Sequence, residues 1–320
     1  MSDKQEKFLQ QLHEKFTTSD DIIAGIVGEA SGSELESKTR IIAGEVNEVW
    51  RVSVEDGPDL ILRISHRSDP GFLRERAAID KLKQVGLPVP QVLLIKQFKD
   101  GLKSKTACVE TVLEGKPLSK IDIGAGELPH YARQIAGALD KIHSVRVGGF
   151  AGRLNEDGDS EERTFTEFMT DMVPKKAELQ KQSVQADIPP GSTDRALDIL
   201  VGHTPVYKSV TEATLTHGDF GGDHLFFKDG RLSGVIDFEG VSGAGLSFDL
   251  AWWDLFWRRK IPTELIIAEL SAKPENLDQL INLQALRLAL TLLPYYTETR
   301  NPGGLEHTKQ GLEHYLDKFK

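Results

Sequence analysis

Residues Leu215–Phe227 read LTHGDFGGDHLFF: two histidines and two aspartates around a Gly-Gly pair, between two apolar runs. Such a stretch can serve as a metal site, a phosphate site or a tight turn. Downstream, past a KDG turn, a second apolar run ends in Ile236-Asp237-Phe238-Glu239. The two common phosphate loops are absent. Gly115-Lys116 runs into Pro117 and lacks the upstream glycine of GxxxxGK[ST], and no GxGxxG follows a strand. What remains is an aspartate in a tight loop, a metal-ligand position at residue 224 and a second aspartate after a hairpin, the arrangement of phosphoryl-transfer kinases. One carboxylate must accept or orient a hydroxyl proton, and another must hold Mg²⁺ against phosphate oxygens. They come from different segments so that the phosphoryl group fits between them.

The rest of the chain admits this reading. Its 320 residues can bury a large core, as one domain or two, and 39% hydrophobic with 28% charged residues describes a globular protein. A net charge of −10 argues against nucleic acid as the partner and admits a cationic small molecule. The N-terminal MSDKQEKFLQQLHEKF is polar and amphipathic, unlike a secretory signal. The longest apolar stretches are broken by polar residues and a proline, so no membrane partner is expected. Cys108, the single cysteine, permits no internal disulfide, fits a cytoplasmic protein, and lies in a strand pattern that makes it a buried structural thiol.

Phe8, Leu12 and Phe16 recur at helical spacing, and Ile22–Val27 reads as a second short helix. The period then becomes two. RIIAG, EVWRVSVE and DLILRIS read as strands, FLRERAAIDKLKQVG as a helix with Leu73, Ala77 and Leu82 on its apolar face, and QVLLIKQF and SKTACVETVL as two more strands. Residues 1–113 therefore form a small lobe, and Gly115 and Pro117 mark a connector. In residues 114–320 helices dominate. LPHYARQIAGALDKIHSV is amphipathic, RLNEDGDSEER is a polar loop, and the opening motif reads as strand, loop, strand, turn, strand before the closing helices. The expected class is α+β.

HGD followed by IDFE resembles the aminoglycoside phosphotransferase and choline-kinase-like family, which shares the protein-kinase fold. The resemblance covers most of the chain: AGEVNEVWRV, LILRIS, FLRERAAIDKLKQVGLPVPQV, VETVLEGKPL, IAGALDKIHS and FDLAWWDLFW each resemble a family segment. HGDFGG, GRLSGVIDFE and the later Phe-Trp pair are most similar to hygromycin B phosphotransferases, while a histidine in the place of the usual asparagine, His224, resembles macrolide phosphotransferases. The resemblance implies a bilobal fold, a five-stranded antiparallel N-terminal lobe and a mainly helical C-terminal lobe. It implies ATP or GTP with Mg²⁺, and transfer of the γ-phosphate to a hydroxyl of a small molecule in a monomer or dimer.

Residue by residue, the resemblance makes Asp219 the catalytic acid-base group and Asp237 and His224 the metal ligands. Imidazole suits Mg²⁺ less than an amide oxygen, so Asp223 is an alternative source of that ligand. Arg63 stands where a phosphate-binding lysine is expected, with Glu75 as its partner. Asn47 would cover the phosphates, and Glu110 to Leu113, Val112 included, would offer backbone groups to the base. His217 would steady the loop, and Asp249 would cap its helix and do the same. Glu239, Asp254, Glu298 and Glu306 could line an acidic acceptor pocket. An aminoglycoside, with a role in antibiotic resistance, is the first acceptor expected; a macrolide, an amino alcohol or a sugar stays open. Two readings of other classes also stand: a nucleotide-binding pseudokinase, suggested by His224, and a metallohydrolase using His217, Asp219, His224 and Asp237, which leaves the first lobe without a role.

Overall fold

The computed structural model describes residues 3–42, 44–160 and 163–320. Ala43, at the end of the RIIAG segment, and Glu161 and Glu162, in the expected polar loop, lie outside the described residues.

Two helices come first, α1 (Asp3–His13) and α2 (Asp20–Ser31), then strands β1 (Leu35–Ile41), β2 (Asn47–Val54) and β3 (Leu60–Ser65), helix α3 (Phe72–Gln84), and strands β4 (Val92–Asp100) and β5 (Lys103–Thr111). The strands form one antiparallel sheet in the order β1-β2-β3-β5-β4. Alternation divides β3 cleanly. Leu60, Leu62 and Ile64 pack with Ala107 and Val109 of β5 against Ile23, Ile26 and Val27 of α2. Arg63 therefore points to the opposite face, toward α3. Because Arg63 is in register with Cys108, Glu110 of β5 shares that face with it.

The stripe that α3 buries is Phe72, Glu75, Ala78, Ile79 and Leu82, whereas Leu73 is exposed. This corrects the face expected from Leu73 and Ala77. The expected pairing of Glu75 with Arg63 itself requires this turn of the helix, because the arginine lies inside and Glu75 must face inward to meet it.

The segment between α1 and α2 is pinned to the sheet by a buried lysine. Lys105 Nζ donates to Thr17 O at 2.7 Å, Thr18 Oγ1 at 3.0 Å and Asp100 Oδ2 at 2.6 Å. Thr18 in turn donates to the fully buried Glu48 at 2.7 Å.

Past the connector come a short strand β6 (Lys116–Pro117) and helices α4 (Leu128–His143), α5 (Phe165–Thr170), α6 (Lys176–Gln185), α7 (Ser192–Gly202) and α8 (Thr204–Tyr207). The hairpin β7 (Leu225–Lys228) and β8 (Arg231–Val235) follows, then α9 (Leu246–Phe256), α10 (Thr263–Glu269), α11 (Leu277–Thr299) and α12 (Pro302–Asp317). The larger core lies here, with Leu139 of α4, Trp253 of α9 and Leu283, Leu286 and Leu290 of α11 fully enclosed. Each such aliphatic side chain contributes roughly 1.5–3 kcal/mol. The strand expected at Leu215 is absent: Thr214 and Thr216 make only isolated bridges to Arg146 and Ser242. The small sheet is β6-β7-β8 instead. The backbone from Leu215 to His224 is thus left free to turn.

Lys105→Met leaves the Thr17 carbonyl and the Asp100 carboxylate without their donor. We expect a loss of about 2–4 kcal/mol, read as a lower urea midpoint, together with faster amide exchange over residues 3–19 than elsewhere.

Candidate active site

The His-Gly-Asp turn is held from three sides. Gly218 has φ 86°, and a Cβ there would lie 2.0 Å from the Gly240 carbonyl oxygen, so only glycine lets this turn touch the one that follows Asp237. Asp249, fully buried in the first turn of α9, accepts the backbone N–H of His217 at 2.9 Å and of Gly218 at 3.0 Å. The N-cap of α9 is Gly245. The expected cap role is therefore not what the Asp249 carboxylate does; it serves the turn. His143 Nε2 stands 3.1 Å from the same carboxylate. On the outer side, the Trp257 indole lies against Gly221 and Gly222, which explains the Gly-Gly pair and the Phe-Trp pair together.

His217 and His224 stack, with centroids 5.6 Å apart and planes at 13°. Their environments differ. His217 is fully buried, and its Nδ1 accepts the Asp219 N–H at 3.2 Å. Its proton is therefore on Nε2, which donates to the Ile236 carbonyl at 3.0 Å. Burial, with the neighbouring His224 charge, pushes its pKa down to about 4, so it stays neutral. His224 Nδ1 donates to the Asp219 carbonyl at 2.8 Å, and its Nε2 faces Asp237 Oδ2 at 3.4 Å. Burial would lower its pKa too, but the Asp219 and Asp237 carboxylates prevail and raise it to about 9. The Asp219 side chain remains 45% exposed. Partial desolvation, opposed by His224 and reinforced by Asp237 and Asp223, raises its pKa to about 6.

Asp237 sits just past β8 at φ 67°, a left-handed conformation in which aspartate is among the better tolerated residues. Burial would raise its pKa, but the His224 and Arg63 charges hold it down. The Arg63 guanidinium, 5.0 Å from the Phe72 ring, binds Glu75 in a two-pronged pair at 2.9 and 2.9 Å. It also meets Glu110 at 3.4 Å, Asp237 at 3.6 Å, and Glu239 directly. Glu75 is fully buried and accepts the Phe238 N–H at 2.9 Å as well. Asn47 Nδ2 donates to Glu239, joining β2 to the same cluster. One guanidinium thus faces four carboxylates. Burial, opposed by Arg63, raises the pKa of Glu75 to about 8 and also raises Glu110 and Glu239.

Asp219, Asp237, His224, Arg63, Glu75, Asn47, His217 and Asp249 thus converge. Glu110 joins them through its carboxylate, not its backbone, which lies in the β5 ladder in register with Ile61 and Val92. Val112, the first residue past β5, makes no backbone hydrogen bond among the described residues and is free to offer one. Asp223 is exposed. Two of the acids expected in a substrate pocket are engaged elsewhere: Glu239 holds Arg63 and Asn47, and Asp254 accepts from Thr263 at 2.6 Å and from Tyr315. Glu298 and Glu306 are exposed. The roles of Glu110 and Glu239 toward Arg63 were not anticipated. A lone acid inside the apolar run TACVETVL was the available signal, since a buried carboxylate requires a partner.

No group of three or more His, Cys, Asp or Glu among the described residues is arranged to hold a metal ion unaided. Both ring nitrogens of His217 are committed to backbone groups, which removes it from the two-histidine, two-aspartate metal set. Mg²⁺ commonly uses one or two carboxylates together with substrate phosphates, and the Asp237 corner offers that.

A sequence profile of the phosphotransferase enzyme family matches residues 38–280. Hygromycin-B 4-O-kinase of Escherichia coli is 27% identical over 218 residues, 67% of this chain and 60% of that enzyme. The chain is thus matched over less than two thirds of that relative's length. Among solved structures, a thermostable mutant of aminoglycoside phosphotransferase APH(4)-Ia, in a ternary complex with ADP and hygromycin B, is similar at TM-score 0.75 and 21% identity, over 92% of this chain and 98% of that one. A putative fructosamine-3-kinase from Thermobifida fusca is similar at TM-score 0.66 and 18% identity, over 92% and 100%. These two likenesses show the fold, which is bilobal and kinase-like.

The raised pKa of His224 has a consequence for the metal-free protein. Its folded value of about 9 exceeds the ordinary 6.5, so its stabilising contribution is complete below pH 6.5 and disappears as pH rises through 9. Urea midpoints should fall across that window, and His224→Asn should flatten the fall.

Proposed function

The chain belongs to the phosphotransferase enzyme family, and on that premise we propose that it is a kinase moving the γ-phosphate of ATP or GTP to a hydroxyl of a small molecule. An aminoglycoside is the leading acceptor, in keeping with the similarity to hygromycin-B 4-O-kinase. A macrolide, an amino alcohol or a sugar is the alternative. Nucleotide binding falls to residues 1–113, with Asn47, Arg63, Glu75 and the open backbone of Val112. Catalysis and acceptor binding fall to residues 114–320. The reading sets the reaction in a reducing, nucleotide-rich cytoplasm, and the buried free thiol of Cys108 accords with it.

The observation that carries the proposal is the meeting of Asp219, Asp237 and a glutamate-clamped Arg63. The Asp219 carboxylate reaches toward solvent beside His224, at 4.0 Å from Nδ1. There it accepts a hydrogen bond from the acceptor hydroxyl and orients its oxygen. The new oxygen–phosphorus bond forms as the bond to the β,γ-bridging oxygen breaks, and the hydroxyl proton passes to Asp219. A pKa raised to about 6 makes Asp219 a better proton acceptor than an ordinary aspartate while leaving it ionised at neutral pH. Arg63 donates to phosphate oxygens, and Glu75 keeps its fork in place. His217 and Asp249 hold the turn still.

The excess of carboxylates around Arg63 fits a divalent cation. Asp237 would hold it, with His224 approaching through Nε2 or Asp223 supplying an oxygen. Bound Mg²⁺ would neutralise phosphate charge as it develops. His224 in place of asparagine favours Mn²⁺ more than is usual for such a site.

Transfer of labelled γ-phosphate should appear on one class in a panel of aminoglycosides, macrolides, amino alcohols and sugars. Asp219→Asn should lower kcat by about 10²–10⁴, and a chelator should abolish transfer until Mg²⁺ or Mn²⁺ is restored. The pH profile of kcat/KM should fall as pH drops through about 6. ATP binding with no transfer to any acceptor or to water would instead favour the nucleotide-binding pseudokinase.

A further inference from the structure

Helix α3 carries Glu75 to the arginine of the sheet, yet it is built into the second lobe. Its buried Ala78, Ile79 and Leu82 belong to the same core as Leu139 and Ile142 of α4, and the core that α2 shares with the sheet contains none of the three. Toward the sheet, α3 stands off. A cleft of about 290 Å³ is lined by Leu73 and Arg74 of α3 on one side and by Ile95, Gln97 and Thr106 of β4 and β5 on the other. Beside it, Phe72 and Glu75 meet Arg63.

The polar loop between α4 and α5 fastens α3 to the second lobe. Arg74 is only 6% exposed despite its charge. Its Nε donates to the Leu154 carbonyl at 3.0 Å, and its Nη2 to Asp69 Oδ2 at 2.6 Å. Leu154 is buried and donates its own N–H to the Val241 carbonyl at 3.2 Å, just past the turn that bears Asp237 and Glu239. About two turns further along α3, Lys81 Nζ donates to the Gly158 carbonyl at 2.7 Å. Between these ties Gly158, at φ 70°, lies so close to the helix that a Cβ there would stand 2.9 Å from the Cβ of Ala77. Arg74, Ala77 and Lys81 share one face of the helix by their spacing. Glu75, the residue after Arg74, presents its carboxylate to Arg63 and to the Phe238 N–H. A guanidinium buried against a carbonyl that is itself fixed leaves α3 little freedom to slide or roll.

We propose that Arg74 and Lys81 are positioning residues of the phosphoryl transfer: they hold α3 against the Leu154–Gly158 loop, so that Glu75 fixes the fork of Arg63 at the phosphates. The inference rests on the kinase reading above. It adds that α3, although its residues lie within the segment 1–113, is a fixed part of the second lobe onto which the arginine of the sheet is docked. A displacement of about 1 Å in a positioning group can cost about a hundredfold in rate. Glu75 follows Arg74 directly on the same helix, so any roll that frees Arg74 displaces Glu75 as well.

The test measures transfer of the γ-phosphate of ATP to hygromycin B, or to water where hygromycin B is not phosphorylated, with a urea midpoint for every variant. Arg74→Gln should lower kcat/KM for ATP by at least about tenfold, while the KM for hygromycin B, where it serves, stays within about twofold. Lys81→Met should lower kcat/KM for ATP by at least about threefold, and Lys81→Arg, which keeps a donor for the Gly158 carbonyl, should retain the wild-type value. In a Glu75→Gln background, Arg74→Gln should cost no more than about twofold further, because the group it acts through has been removed. Calorimetric ATP affinity gives the same comparison where Glu75→Gln leaves too little transfer to measure. Losses that add in the double variant would make Arg74 merely structural and overturn the inference. So would equal losses toward ATP and hygromycin B, or an unaltered kcat/KM for ATP in Arg74→Gln or Lys81→Met. Should Arg74→Gln not fold, the half-buried Lys81 carries the same comparisons. Absence of transfer to hygromycin B, any other acceptor or water in the wild type fails the kinase reading itself, and this inference with it, before any substitution is made.

Discussion

Arg63 is the group on which the rest depends. A guanidinium inside a protein must be surrounded by acceptors, and this one draws them from β3's neighbour β5, from α3 and from the turn after β8. The consequence is architectural as much as chemical. Glu75 binds Arg63 and the Phe238 N–H together, so one carboxylate sets the angle of α3 and the position of the Asp237 turn. Removing one partner from such a buried pair typically costs about 3–5 kcal/mol, because the other is left charged and alone. An arginine at this position suits the geometry: its fork engages two oxygens of Glu75 and still presents donors toward Glu239 and Asp237.

The two stacked histidines show how the environment assigns protonation to identical groups. His217 is enclosed by backbone and aromatic rings, accepts one N–H and donates to one carbonyl, and is neutral. His224, one ring away, stands between two carboxylates and keeps a proton. The neutral ring can then brace the turn without adding charge beside Asp219. The charged ring offsets part of the negative potential that Asp219 and Asp237 create.

Much of this was legible in the residues themselves. Strand alternation and the KDG and DGP turns located four of the five strands, while the first, expected over RIIAG, runs over Leu35–Ile41 instead; the spacing of His217, Asp219, His224 and Asp237 located the loop and hairpin that meet Arg63. Three things were not legible. The buried face of α3 was misread because it was drawn through Leu73 and Ala77, whereas Leu73 is exposed and Phe72, against the Arg63 guanidinium, takes the inner position. Asp249 was expected to cap its helix as well as to steady the loop, but Gly245 holds the cap position and the carboxylate accepts from the turn 31 and 32 residues earlier in the chain. Glu110 and Glu239 acquired partners only through strand register and the approach of two lobes, which no local pattern encodes.

By itself the sequence determined the elements and their chemistry: period-two runs, helical stripes, glycines where a turn must pass close to another, and aspartates beside them. These follow from local stereochemistry, in which each residue's preference acts over a few neighbours. Tertiary structure alone decided which acids would share one arginine, which histidine would keep its proton, and that Glu45 would meet Asn301, 256 residues away in the chain. Charge state and partner choice depend on desolvation and on distances of a few ångströms across the folded chain, and those exist only once the two lobes have closed on each other.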